Sequence, residues 1–354
     1  MTQQKPKRRH HINPRFYLRA FQAPDAEGYI WRYDTESGEI LKLSIDSASV
    51  KRDYYSHVNE DGLRDTEFIE NFISNIESEV APVFKKIIAA SDLTDNLTDE
   101  ERLNFSYFVS LSWLRSPANR RQTAEFLGAL VKSTSYAVGS DPKRYLQSYR
   151  RMEAEKNTKK QDQLSDEEIE ETRVFMMSDE YGVKISEQVT LLPLIHLQEV
   201  AETIVQMSWT WLDAPQGINF ITADSPVVRS MPPMPHHPLL GLGLRNKFVE
   251  VSLPVSPKLC WLGTWVKSAA EIGVAEKEHV KSLNRLRAID AENYLYASTF
   301  QTALGKLAKK YHGGGTKLAP SGLGFTGDPI DIGQFKDESV GVLPPQSARA
   351  DKTM

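Results

Sequence analysis

Residue types that can do chemistry near neutral pH are gathered in a few short stretches of this chain. The first is HHINPRFYLRAF, residues 10–21. Imidazoles there can take up or release a proton near pH 7, or donate hydrogen bonds to an anion once protonated. Adjacent side chains in an extended segment point to opposite faces, so only one of the two histidines faces a given site. His11, next to the helix start that follows, is the candidate catalytic proton carrier, and His10 is a candidate substrate contact. The alternative is that one ring packs or caps and the other is solvated. Arg15 and Arg19 lie four residues apart and share a helix face suited to phosphate or carboxylate, although a solvated basic face has the same pattern.

Two further stretches add ionisable groups. Arg115 sits in LRSP, where the helix pattern breaks. Orphan backbone groups and a cation could meet an anion there, or the cation could serve a salt bridge between layers. Asp224 ends the apolar run of FITADSPVV. A carboxylate at a strand end can orient a catalytic base or hold a divalent metal ion; an Asx-type turn before Pro226 uses the same residue. Thr222 and Ser225 offer hydroxyls beside it, and Asn284 on a late helix either reaches this region as a substrate contact or caps a loop. The His236-His237 pair in MPPMPHHP reads as a surface loop before a metal site, and His57, His196 and His279 are isolated. The single cysteine, Cys260, excludes an intrachain disulfide and a Cys-based metal site, and its apolar setting LCWLGTW reads as a buried structural thiol. Phosphate-loop, dinucleotide, serine-hydrolase-elbow and zinc-protease motifs are absent from the sequence.

These residues need elements to position them. Asn13-Pro14 predicts a helix start, with Asn13 as cap and Pro14 in the first turn, running to about Phe21. Residues 29–34 and 40–45 alternate with strand period around Ser37-Gly38, which predicts a β-hairpin, and 53–58 could add a short strand. From residue 65 the period becomes helical through Phe68, Ile69, Phe72, Ile73, Ile76 and Val80. Pro82 predicts a kink or restart. Thr98 with Glu101 and Ser165 with Glu168 form capping boxes, Ser116-Pro117 interrupts a helix, and Asp141-Pro142 opens another. A helix over 184–206 is expected to kink at Pro193. Residues 208–213 with 218–224 predict a second hairpin and 248–253 with 259–265 a third, followed by a helix over 275–291 and a strand over 294–297. The fold class expected is α+β: one mixed or antiparallel sheet built from N-terminal and C-terminal hairpins, with a helical layer inserted between them. The organisation expected is a basic flexible arm over 1–9 and a single domain over 10–312. That domain divides into 10–60, the helical layer 65–206, and the C-terminal strands and helix 207–300. A Gly- and Pro-rich tail over 313–354 is expected to lack stable structure.

With 354 residues, 40% hydrophobic and 25% charged, the chain has globular composition. Its net charge of −4 is small, but the first twenty residues carry Lys5, Lys7, Arg8, Arg9, Arg15 and Arg19 and no acid. That block could steer a polyanion, whereas the acidic run 166–171 reads as a solvated helix face. No stretch approaches the roughly 18 apolar residues of a membrane span, and the basic start lacks the apolar core of a signal peptide. The expectation is a cytoplasmic protein with no membrane partner.

Five stretches occur in a particular order: HHINPRFYLRAF, LRSP, FITADSPVV, LPVSPKL and VKSLNRL. This order resembles the domain-of-unknown-function 4238 family, found mainly in bacteria. The family's pattern runs His-His-x-x-Pro-x-Phe-Tyr-Leu-x-x-Phe, then Arg-Thr-Pro, Ser/Thr-Asp-x-Pro, Pro-x-Ser-Pro and a late Asn. The resemblance covers about residues 9–300, with Ser116 where the pattern favours Thr and Ser225 where it often has Asn. It implies which residues to watch and no particular reaction.

From the residues themselves, the first expectation is a hydrolase or nuclease-like enzyme acting on a phosphate-containing substrate such as nucleic acid. The basic segment and Arg115 would hold the phosphate, His11 would move a proton, and Asp224 would orient it or bind the metal. The alternative is a non-catalytic nucleic-acid or protein-binding module using residues 5–19. In a third reading the motifs only join the sheet to the helical layer. Geometry separates them, because proton transfer requires His11, Arg115 and Asp224 to converge.

Overall fold

The computed structural model describes residues 8–58, 64–65, 67–90, 97–178, 180–231, 243–266 and 272–315. The loop expected around His236-His237, most of the expected basic arm and nearly all of the expected tail lie outside them. Residues Met1–Leu318 form one compact unit, described here.

The chain opens with β1 (Arg9–His11) and the short helix α1 (Arg15–Arg19). Pro14, at φ −65° and ψ 150°, is the last extended residue, so it occupies the cap position expected of Asn13. Asn13 is used across the fold instead: its Nδ2 donates to the Ala223 carbonyl at 2.7 Å and its N–H to Ser49 Oγ at 3.1 Å. The predicted hairpin forms from β2 (Tyr29–Asp34) and β3 (Ile40–Ser44). Gly38 supplies its turn at φ 77°, where any side chain would be strained. The turn of helix α2 (Ile45–Ala48) leads into β4 (Val50–Arg52), which pairs antiparallel with β1. Arg9 therefore belongs to a paired strand rather than a flexible arm, and Arg8 Nε donates to Asp53 Oδ1 at 2.9 Å. The strand expected over 53–58 is a turn, then β5 (His57–Val58) paired with β6 (Arg64–Asp65).

The helical layer follows as α3 (Phe68–Ala89), α4 (Asp99–Leu114), α5 (Pro117–Gly139), α6 (Pro142–Glu155) and α7 (Asp166–Met177). Both predicted capping boxes form, and Ser116 and Asp141 cap α5 and α6. Pro82 does not end α3. Both Pro82 and Ser78, whose carbonyl the missing N–H leaves free, are exposed, so water can serve that carbonyl. The helix predicted over 184–206 is shorter. Val189–His196 is a 3-10 stretch around Pro193, and only α8 (Leu197–Val205) is α-helical.

The remaining elements are β7 (Ser208–Asp213), β8 (Thr222–Ala223), β9 (Val228–Ser230), β10 (Glu250–Pro254), β11 (Leu259–Thr264), β12 (Ile272–Val274), α9 (Lys277–Asp290), β13 (Tyr294–Ala297) and α10 (Thr302–Tyr311). The architecture is α+β, as expected, but the strands divide between two larger sheets and two ribbons. One sheet runs β12-β7-β11-β10-β9 and the other β3-β2-β13-β8, so the N-terminal hairpin does share a sheet with C-terminal strands. The expected hairpin of β7 with β8 does not form. Ala214 N–H and Phe220 N–H bond to the Lys258 and Pro257 carbonyls, which carries the chain from the first sheet to the second. An aromatic core joins the layers: Tyr17 packs on Phe84 and Phe108, and Phe105 on Trp209, Trp211 and Trp261. Among the described residues, no helix is long and apolar enough to cross a membrane.

Candidate anion-binding site

The β1–β4 ribbon sends its two histidines to different environments. His10 is completely buried, stacks on Tyr55 at 5.4 Å between ring centroids, and accepts the Tyr55 N–H at Nδ1 at 2.9 Å. It is a core residue whose ring is committed to Tyr55, not the substrate contact expected of it. His11 is only partly buried. Its Nε2 accepts from Arg15 Nε at 3.1 Å, which assigns the proton of the neutral ring to Nδ1. That Nδ1–H is buried and has no hydrogen-bond partner among the described residues. Burial and the charges of Arg15, Arg9 and Arg115, opposed by Asp46, push the His11 pKa down to about 4.

Arg115 is placed by the end of α4. It is the C-cap of α4, next to Ser116, the N-cap of α5, and only 1% of it is exposed. Its Nη1 donates to Glu77 Oε1 on α3 at 2.7 Å. Burial works against its charge, but Tyr55, Glu77 and Glu70 outweigh it and raise the pKa. Nε and Nη2 are buried with no hydrogen-bond partner among the described residues. They form the edge of the guanidinium that grips two oxygens of a phosphate or carboxylate at once. A buried donor left unpaired costs about 1–3 kcal/mol, so such an edge calls for a reason.

One dipeptide ties the two residues together. Tyr54 Oη donates to the Arg115 carbonyl at 3.0 Å, and Tyr55 Oη to the His11 carbonyl at 3.2 Å. The field of Arg115 reaches both His11 and Tyr55. Three buried donor nitrogens, two on Arg115 and one on His11, have no acceptor among the described residues. Ser112 Oγ, one turn before Arg115 on α4, is also buried and unbonded among the described residues.

Asp224 serves a different purpose. It is fully buried, with Oδ1 accepting Glu292 N–H at 3.0 Å and Oδ2 accepting Asn293 N–H at 2.8 Å and Asn293 Nδ2 at 3.0 Å. Its carboxylate pins the loop between α9 and β13, rather than a local turn or His11. Among the described residues, no group of three or more His, Cys, Asp or Glu is placed to hold a metal ion. Ser225 Oγ accepts Ala118 N–H at 3.1 Å and helps cap α5. Thr222 Oγ1 bonds Tyr17 Oη at 2.6 Å, inside the core. Asn284 Oδ1 accepts Ile221 N–H and its Nδ2 donates to the Asn219 carbonyl, which fixes the approach to β8. Arg15 is exposed and pairs with Asp46 at 3.0 Å, and Arg19 is exposed on the next turn. Arg15 thus contacts His11, the Tyr54-Tyr55 pair links the backbones of His11 and Arg115, and Asp224, Thr222, Ser225, Asn284 and His10 make scaffold contacts.

Sequence reasoning passed over Tyr54, Tyr55, Glu77 and Arg120. Arg120 is buried and donates to Thr190 Oγ1, the Tyr54 carbonyl and the Glu187 carbonyl at 2.8, 2.8 and 2.7 Å, with its guanidinium 4.2 Å from the Tyr54 ring centroid. The signal was its place in LRSPANRR, on the first turn of the helix that Arg115 precedes. Lysine cannot reproduce this fork, so Arg120→Lys should lower unfolding free energy by about 2–3 kcal/mol in urea denaturation. A loss under about 0.5 kcal/mol would show that the Tyr54 anchor does not depend on it.

The two perturbed acids oppose each other in pH. Burial raises the Asp224 pKa to about 6, against the donors of Asn293 and Glu292. Its folded pKa lies above the usual unfolded value near 4, so its contribution is full below about pH 4 and is lost as pH rises through about 6. The His11 pKa, lowered to about 4, works the other way. Its contribution is full above about pH 6.5 and is lost as pH falls through about 4. His11→Asn should therefore leave a protein whose stability increases, relative to wild type, as pH is lowered from 6.5 to 4. Parallel pH profiles for the two proteins would count against the partly buried, neutral His11.

Comparison with known proteins agrees with the order of motifs. A family model described as protein of unknown function (DUF4238) matches residues 9–300, most of the described chain. Neither the curated proteins nor the solved structures return a match.

Proposed function

We propose that this chain, which belongs to the DUF4238 family, is an oxyanion-binding protein whose ligand is a phosphate ester such as a nucleic-acid backbone. The observation that carries the reading is the set of buried N–H donors, Nε and Nη2 of Arg115 and Nδ1 of His11, for which the described residues provide no acceptor. Phosphate is favoured over a neutral acceptor by the surrounding charge, since Arg9, Arg15 and Arg115 all lower the His11 pKa. A phosphate placed against these donors raises that pKa again. Binding is then coupled to proton uptake and tightens as pH falls toward about 4.

A hydrolytic reading rests on the same atoms. Once a phosphate held by Arg115 has raised the His11 pKa enough to protonate the ring, water attacks phosphorus, the Nδ1 proton of the imidazolium passes to the leaving oxygen, and the guanidinium opposes the charge that develops. Calorimetric titration with inorganic phosphate and with short RNA and DNA strands, with and without magnesium, tests both readings. The account expects binding that weakens with salt and drops at least about 100-fold in Arg115→Lys, whose circular dichroism should match wild type. Strand cleavage lost in His11→Gln would establish the hydrolytic reading. Binding without cleavage would leave the binding reading alone. No binding of phosphate or strands would remove both.

A further inference from the structure

A cleft between α9 and α10 shares no residue with the His11–Arg115 site and has a different character. Its volume is about 730 Å³, inside the range of roughly 300–1,000 Å³ common for small-ligand sites. Its charged lining is entirely cationic: Lys258, Lys281 and Arg285, with no aspartate or glutamate among the lining residues. Lys281 and Arg285 are one turn apart and share a face of α9. Lys258 joins them from the turn between β10 and β11, where its Nζ lies 3.5 Å from the Ile218 carbonyl. Lys281 is partnered by the exposed Glu278 at 2.6 Å, whereas Arg285 makes no hydrogen bond or ion pair among the described residues. The α10 wall is apolar, with Leu304 and Leu307 facing the cleft, and Ile221 adds apolar surface from the segment before β8. Both bonds of Asn284 hold that segment in place, so one side of the cleft is fixed before any ligand arrives.

Cations gathered on one side and aliphatic side chains on the other are complementary to a molecule with the same division. We propose that this cleft binds a small amphipathic anion, its carboxylate or phosphate head against Lys258, Lys281 and Arg285 and its aliphatic chain along Leu304 and Leu307. The proposal is independent of the reading of Arg115.

Calorimetry with dodecanoate, dodecyl phosphate and dodecanol, each below its aggregation concentration, tests it. Both anions should bind, and dodecanol at least about tenfold more weakly, since it offers the cations no charged acceptor. The tighter of the two anions identifies the head group as carboxylate or phosphate. The double variant Lys281→Glu, Arg285→Glu lies on an exposed helix face and should fold normally by circular dichroism. It should lose at least tenfold in anion affinity while keeping the wild-type response to inorganic phosphate. Leu307→Asn should weaken both anions without changing that response. Equal binding of dodecanol, an unchanged affinity in the charge-reversed variant, or no binding of either anion would overturn the proposal.

Discussion

Replacing Asp224 with alanine will lower the unfolding free energy by about 3–5 kcal/mol, as expected when a buried, hydrogen-bonded carboxylate is removed and its partners are stranded. The N–H groups of Glu292 and Asn293 and the Asn293 amide all point at this one side chain, in a fully buried setting. Asp224→Asn should fall between, at about 1–2 kcal/mol, because an amide keeps one acceptor oxygen but turns its NH2 against a donor. Urea unfolding measures both. If the alanine variant folds with under about 1 kcal/mol of loss while ligand binding or turnover collapses, Asp224 belongs to the chemistry and its scaffold role is refuted.

The second large effect falls on Arg115. In phosphate-free buffer, Arg115→Met should change stability little, by about 1 kcal/mol in either direction. The substitution removes a buried charge and two unpaired donors, and Glu77 is exposed enough to be hydrated without its partner. Adding phosphate should separate the proteins. Wild type should gain about 2.7 kcal/mol at a ligand concentration one hundred times its dissociation constant, and the variant nothing. Thermal unfolding at several phosphate concentrations reads this directly. Equal stabilisation of both would place the anion elsewhere, with the α9–α10 cleft the first place to look.

How much of this was visible in the sequence depends on whether the deciding contact was local. The capping boxes at Thr98 and Ser165, the cap at Asp141 and the β2–β3 hairpin all depend on residues within a few positions of each other, and they formed as read. The pairing of β7 was not legible. Its alternation fits any partner, and the choice is made by contacts to Pro257, Lys258 and Asn284, the last 63 residues from its partner Ile221. At Pro82 α3 continues without a restart, where the exposed Ser78 carbonyl can be hydrated, and exposure does not show in a pattern. At the site, His11 and Arg115 stood out because their neighbours Pro14 and Pro117 mark turns that aim side chains. Asp224 beside a proline looks the same whether it faces a ligand or three backbone and amide donors. Tyr54, Tyr55 and Glu77 carried no mark: two tyrosines in a charged stretch and one glutamate among several on α3 become informative only once the β1–β4 ribbon is laid against the helices.

The central claim is that the Nε/Nη2 edge of Arg115 and the Nδ1–H of His11 hold one oxyanion. Proton–nitrogen NMR of the arginine Nε–H groups during a titration with inorganic phosphate tests it most directly, with Arg115→Lys assigning the signal. The Arg115 Nε–H resonance should move downfield and saturate, the His11 imidazole should take up a proton in step with it, and both changes should be absent in the lysine variant. A resonance that stays in place while phosphate demonstrably binds would contradict the account.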